Sequence, residues 1–271
     1  MFMLGQKVLP PSFPNPAPNF TFQSFVNLTS FALSFLLVFR TNNGYGRWDE
    51  ARKTFGQLIN RTRDLIRQGC QTFPEDDEES KKALGRWIIA SAVSMRIHLQ
   101  PDPGVTLENT LGSVLKPEEL ALLTRSTHRP VTAIAATGRV IQEQPISPYM
   151  QQLMYQNLTA FHDILGGCER ILRAPIPVSF TRHTGRFLAV WLTCLPFSLY
   201  ATCGPWCIPV SAAVTAVLCG IEEIGVQCEE PFGILPLEVI CKRISTDVNS
   251  TIEQDKEIRA MIRSGLRPAM Q

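Results

Sequence analysis

Two runs without charge constrain this chain more than any other feature of it. Residues 187–220 hold no Asp, Glu, Lys or Arg over 34 positions, and residues 20–39 hold none over 20. At 1.5 Å per residue the shorter run crosses a hydrocarbon core of ~30 Å once. The longer run would reach ~51 Å as one straight helix, well beyond that core. The cluster TCGPWCIP (Thr202 to Pro209) divides it into two arms, a helical hairpin whose arms are each just long enough to span. Pro196 is expected to kink the first arm, and a re-entrant hairpin fits the same lengths.

The shorter run is not uniformly apolar. Gln23, Asn27, Phe31, Phe35 and Phe39 recur every four residues, one slowly winding row on a helix, polar at its start and aromatic at its end. Ser30 and Ser34 lie beside it. A helix facing only lipid has no use for amides and hydroxyls on one stripe. Two readings fit: a packing face against other helices, the commoner fate of such a stripe, or the wall of an aqueous path.

Composition narrows the rest. The chain is 271 residues long with a net charge of +2, too little to imply a nucleic-acid partner. No repeat of solenoid length is present, and no basic n-region precedes an apolar h-region. Eight cysteines occur without a C-x-x-C pair, which argues against a zinc module, and the four histidines show no H-E-x-x-H or comparable pattern. No cofactor and no metal site is expected.

Along the chain, residues 1–19 form a proline-rich lead that helix geometry excludes. After the first span, residues 45–72 carry Trp48, Phe55, Leu58, Ile59, Leu65 and Ile66 at helical spacing, an amphipathic helix continuing from the span. Gly44 and Gly46 at the junction favour a bend. The acidic run Glu75 to Glu79 reads as a solvated linker. Helices are expected over 81–100, 116–124, 131–142 and 147–172, with Pro117 and Pro148 in first-turn positions, and over an amphipathic tail carrying Leu237, Ile240, Ile244, Val248 and Ile252. Strand alternation is nowhere sustained. The class is all-α: a membrane-embedded helical subunit with a large water-facing helical region. Its expected division is 1–19 lead, 20–40 membrane helix, 41–186 helical region, 187–221 hairpin and 222–271 C-terminal segment.

Basic residues crowd the ends of the apolar runs: Arg40, Arg47, Arg52 and Lys53 after the first, Arg170, Arg173, Arg182 and Arg186 before the second. The hairpin turn has none. The positive-inside rule places both clusters, and the helical region between them, on the cytoplasmic side or its equivalent.

The residues also resemble a known family. FLLVFRTNNGYGRWDEARKTFGQLINRTRDLIRQ (residues 35–68) is similar to the stretch of bestrophin-type anion channels that runs from their second membrane helix into the cytosolic domain. CERILRAPIP, the hairpin with LTCLP, and GIEEIGVQCEEPFG follow in the family's order. The style is that of the bacterial, plant and algal branch, which includes thylakoid chloride channels. The resemblance implies a homopentamer, in contact with membrane lipids, that passes chloride or bicarbonate through one axial pore. Its setting would be a thylakoid or chloroplast membrane in an alga or plant, or the inner membrane of a bacterium. It implies a hydrophobic neck at Phe31, Phe35 and Phe39, an outer mouth at Gln23 and Asn27, and a second constriction at Ile176. The family's first span is not evident: either three spans put the N-terminus on the opposite side, or a first span is missing here and MFML is its remnant. The acidic run that holds Ca²⁺ in animal members is replaced after Gly233 by ILPLE, so a Ca²⁺ clasp is not expected.

Other clusters carry less. The pairs Glu222–Glu223 and Glu229–Glu230 suit acid–base chemistry or a metal, but such a run more often solvates a helix leaving the membrane. Cys203 and Cys207 flank the hairpin turn and are close enough in sequence to pair, although isolated thiols are the simpler reading. A membrane enzyme using the acidic block lacks a nucleophile with an evident base. A non-conducting assembly subunit is the third alternative.

Overall fold

The computed structural model describes residues 22–266; the proline-rich lead, and the MFML remnant with it, lies outside the described residues. Among those residues every regular element is helical. They form two compact units, one of residues 22–45 and 176–228, the other of 46–175 and 229–266. The helices run on past the ends of the uncharged runs.

In the first unit, helix α1 (Phe22–Thr72) supplies its first half, α7 (Val178–Cys203) and α8 (Cys207–Glu229) the rest. The expected division of the long run occurs at a single 3-10 turn, Gly204–Trp206. Gly204 has φ +53°, a conformation that costs glycine little and other residues more. Pro196 lies inside α7. Val26, Leu33 and Leu37 of α1 pack with Leu188, Trp191 and Leu195 of α7, and Val214, Leu218 and Ile221 of α8 join them. Ser198 Oγ donates to Gln23 Oε1 at 2.7 Å, tying the start of α1 to the end of α7. Elsewhere the unit turns large apolar side chains outward, among them Leu28, Val190, Phe197, Tyr200, Trp206 and Val217. Such a surface calls for a non-aqueous neighbour. Gln23–Thr72 and Val178–Glu229 are both long and apolar enough to cross a membrane.

In the second unit α2 (Glu78–Leu99) is central. It buries Leu84, Ile88 and Met95, and it packs on α5 (Arg129–Gln142), α6 (Pro148–Arg173) and α10 (Leu237–Leu266). A β-carbon on Gly85 would lie 2.8 Å from Ile252 Cδ1, so a glycine permits the close approach of α10. Pro117 and Pro148 open α4 (Pro117–Arg125) and α6, as expected. Two short helices went unread: α3 (Leu107–Leu111) inside the loop after α2, and α9 (Pro231–Ile234). The acidic run is a linker in part: Glu75 to Asp77 join α1 to α2, with Glu75 and Asp76 exposed, and the run then opens α2. Asp77 caps α2, its side chain accepting from Ser80 N at 3.0 Å, and Glu78 and Glu79 occupy the first turn, where the helix dipole favours them. Gly44 and Gly46 lie within α1 without ending it.

Candidate functional site

The Phe row and the packing face of α1 are different faces. Val26, Leu33, Leu37 and Arg40 are buried, whereas Phe31, Phe35 and Phe39 are 78, 53 and 46% exposed. At 100° per residue Phe31 and Leu33 are about 160° apart around the axis. The row is therefore not what α1 packs against its own unit. Phe31 and Phe35 stack at 6.1 Å between ring centroids, and Phe35 meets Phe39 edge-on at 4.4 Å. Above them Gln23 Nε2 donates to Asn27 Oδ1 at 3.0 Å. Ser30 Oγ donates to Asn27 O at 2.9 Å and Ser34 Oγ to Ser30 O at 2.9 Å, so the hydroxyls satisfy themselves on their own helix.

Immediately below Phe39 the chain buries a charge. Arg40 is 2% exposed and pairs with Glu222 of α8, and its side chain also lies against Gly225. Arg47, one of the charges read as inside flank, has a second task. Its Nε donates to Glu229 O at 2.7 Å and its Nη1 to Ala174 O at 2.7 Å, while Nη2 donates to Ile171 O. These carbonyls end α8 and α6 and have no partner within their helices. The guanidinium fork thus fixes the backbone from which Pro175, Ile176 and Pro177 depart. Ile176 itself is half-buried in that connection.

Two of the remaining acidic groups are engaged with protein. Glu223 accepts from Gln227 Nε2 at 3.1 Å and Glu238 pairs with Lys242 at 2.7 Å and Arg96 at 3.3 Å, whereas Glu230 occupies the N-cap position of α9 without a side-chain hydrogen bond to it. The eight cysteines, Cys203 and Cys207 among them, are free thiols. Burial pushes the thiol of Cys70 up to about 11 and that of Cys168 up to about 12.

Three residues that sequence reasoning left apart do meet. His98 at the end of α2, His128 at the start of α5 and Glu169 near the end of α6 present ligand atoms all within 4.8 Å of one another. They are separated by 30 and 41 positions, so no local spacing could signal them. Burial raises the Glu169 carboxyl, but hydrogen bonds from His98 and His128 and the charge of Arg173 outweigh it and hold the group below its ordinary value.

Comparison with known proteins agrees along most of the chain. A family model described as Bacterial/Fungal Bestrophin protein matches residues 9–250. The voltage-dependent chloride channel 1, chloroplastic, of Arabidopsis thaliana is 34% identical over 237 residues, 87% of this chain and 57% of that protein. The chain thus spans little more than half the length of that relative. A voltage-dependent anion channel-forming protein of Nostoc sp. is 31% identical over 244 residues, covering 86% of this chain and 78% of the relative. A bacterial bestrophin homologue from Klebsiella pneumoniae shares the fold, with TM-score 0.77 at 23% identity over 83% of this chain and 85% of that one.

Proposed function

Because the chain belongs to the bacterial and fungal bestrophin family, we propose that it is an anion-channel subunit, conducting through the axial pore of a homopentamer with its neck at Phe31, Phe35 and Phe39. The observation that carries this reading is the exposure of those three rings on the face of α1 opposite its packing stripe. A packing role within the subunit would have buried them. Five phenyl rings at one level make a passage that dewets, a barrier that needs no charged plug. A ring is negative on its face and positive at its edge, so rings turned edge-on tolerate a passing anion. Gln23 and Asn27 offer amide hydrogens at the outer mouth. Ile176 forms the second constriction, and Arg52, Lys53, Arg170 and Arg173 raise the local anion concentration on the inner side.

The names of the Arabidopsis and Nostoc relatives support an anion as the permeant species and a chloroplast or bacterial membrane as the setting. In this arrangement residues 20–40 line the pore, 187–221 form the outer hairpin, and 41–186 with 222–271 build the cytosolic or stromal body. An acid–base role for the glutamates is disfavoured because Glu222 and Glu223 are held by Arg40 and Gln227. Purified protein in planar bilayers under a chloride gradient tests the reading. Currents that reverse near the chloride equilibrium potential support it. A silent preparation of correctly assembled protein, or reversal at the cation potential, removes it.

A further inference from the structure

We propose that His98, His128 and Glu169 form a binding site for one divalent transition-metal ion of the zinc class, joining the end of α2, the start of α5 and the last turns of α6. His98 Nε2 lies 2.7 Å from Glu169 Oε1 and His128 Nε2 lies 3.1 Å from the same oxygen. The two rings are 5.0 Å apart, centroid to centroid, with planes tilted by 39°. Both imidazoles thus aim the same nitrogen at one carboxylate oxygen.

A tetrahedral ion with ligands at ~2.0–2.1 Å needs ligand atoms ~3.3 Å apart, which lies inside the spread seen here. No helix has to move for the ion to enter: opening the two short contacts by under ~1 Å suffices, a side-chain adjustment. Two nitrogens and one oxygen suit zinc, cobalt or nickel rather than calcium or magnesium, which take oxygen ligands. The three side chains are partly exposed, so an ion has a path in and the fourth position takes water.

Binding requires a change of tautomer at both rings. Before binding, His98 and His128 donate their Nε2–H to Glu169, and ion binding replaces those two bonds; no partner among the described residues holds His128 Nδ1, so that ring is free to exchange tautomers. On binding, each neutral imidazole carries its proton on Nδ1 and turns the Nε2 lone pair to the ion. Arg173 Nη2 stands 3.5 Å from Glu169 Oε1 and competes for the carboxylate, but its side chain is mostly exposed and swings clear without cost to the core.

The test uses full-length protein stripped with a chelator and loaded with Co²⁺. Expected is about one equivalent per chain, with visible d–d absorption of a four- or five-coordinate ion and no thiolate-to-cobalt band. Zn²⁺ should bleach the colour, while excess Mg²⁺ or Ca²⁺ should not. Uptake should weaken at least ~10-fold in His98→Ala and Glu169→Gln and stay unchanged in His162→Ala. Unchanged uptake in His98→Ala, a thiolate band, or no d–d absorption would overturn the assignment. Should the variants lose helical circular dichroism, the wild-type cobalt spectrum decides alone: its N/O-coordinated band supports the site and its absence removes it.

Discussion

Arg40 and Glu222, 182 residues apart, form an ion pair inside the apolar unit, with the arginine side chain 2% and the glutamate 19% exposed. Removing one member strands the other's charge in a poorly solvated place, which typically costs about 3–5 kcal/mol. Arg40→Ala and Glu222→Ala should each lower the thermal midpoint in detergent substantially. The double replacement Arg40→Met with Glu222→Leu should lose much less. A midpoint in the double variant as low as in either single one would show that the pair is not an isolated unit.

Arg47 closes two helix ends with one guanidinium. Arg47→Lys keeps the charge but gives up the planar fork, so it should behave like Arg47→Ala rather than like wild type. Loss of charge-assisted bonds to three carbonyls predicts a destabilisation of about 2–4 kcal/mol, read as the denaturant midpoint of the helical signal. Full retention of stability in Arg47→Lys would assign the residue to topology alone.

A polar cluster around the buried Asn157 contributes to acid sensitivity. Asn157 Nδ2 donates to Asp64 Oδ2 at 2.9 Å and to Gln68 Oε1 at 3.0 Å. The hydrogen bond from Arg67 holds the Asp64 carboxyl below its ordinary value, against burial that raises it and with help from Asn157. The side chain and backbone N–H of Ser80 do the same for Asp77. A depressed carboxyl stabilises the fold above its unfolded value, about 3.9, and that contribution disappears as pH falls through the lower folded value. The thermal midpoint should therefore drop below about pH 4, and Asp64→Asn should lower it at neutral pH while flattening the acid limb. An acid limb of unchanged steepness in Asp64→Asn would place the sensitivity elsewhere.

Activity should not require micromolar Ca²⁺. Glu238, the one acid soon after Gly233, is exposed and spoken for by Lys242 and Arg96, and Gln227 is engaged with Glu223. Currents unchanged by a calcium chelator are expected. A steep dependence on Ca²⁺ abolished by Glu230→Ala would show a site rebuilt from other residues.

Sidedness needs a different reporter from the native thiols. Cys70 and Cys168 are buried and hold their protons at neutral pH, so they resist a reagent from either side. Introduced cysteines at exposed positions, Asp102→Cys in the proposed inner body and Ile208→Cys beside the hairpin turn, report instead. An impermeant reagent added outside should label the second and spare the first.

What could be read from the residues was what rests on local periodicity. The proline-opened helices at Pro117 and Pro148 and the every-fourth-residue row of α1 repeat within one element and are helical in the structure, and the longer uncharged run is two helices parted at the expected turn. The acidic run is legible as a linker only over its first residues, because carboxylates suit solvent and helix N-termini equally, and the Asp77 cap marks where one gives way to the other. The Arg40–Glu222 pair, the Arg47 fork and the His98–His128–Glu169 group join residues tens to nearly two hundred positions apart. Such meetings depend on how helices pack, and no spacing in one sequence encodes them.

The most direct measurement of the central claim is single-channel recording and size-exclusion on the same preparations of Phe35→Ala and of Phe35→Ala with Phe39→Ala. Rings that meet their symmetry mates across a pore can be truncated without leaving a cavity in a core. The account predicts intact pentamers with larger or less gated anion currents, more so in the double variant. Rings buried between subunits would instead cost about 3–5 kcal/mol each on truncation. Variants that fall apart, or that stay pentameric with conductance and gating unchanged, would contradict the account and take α1 out of the pore.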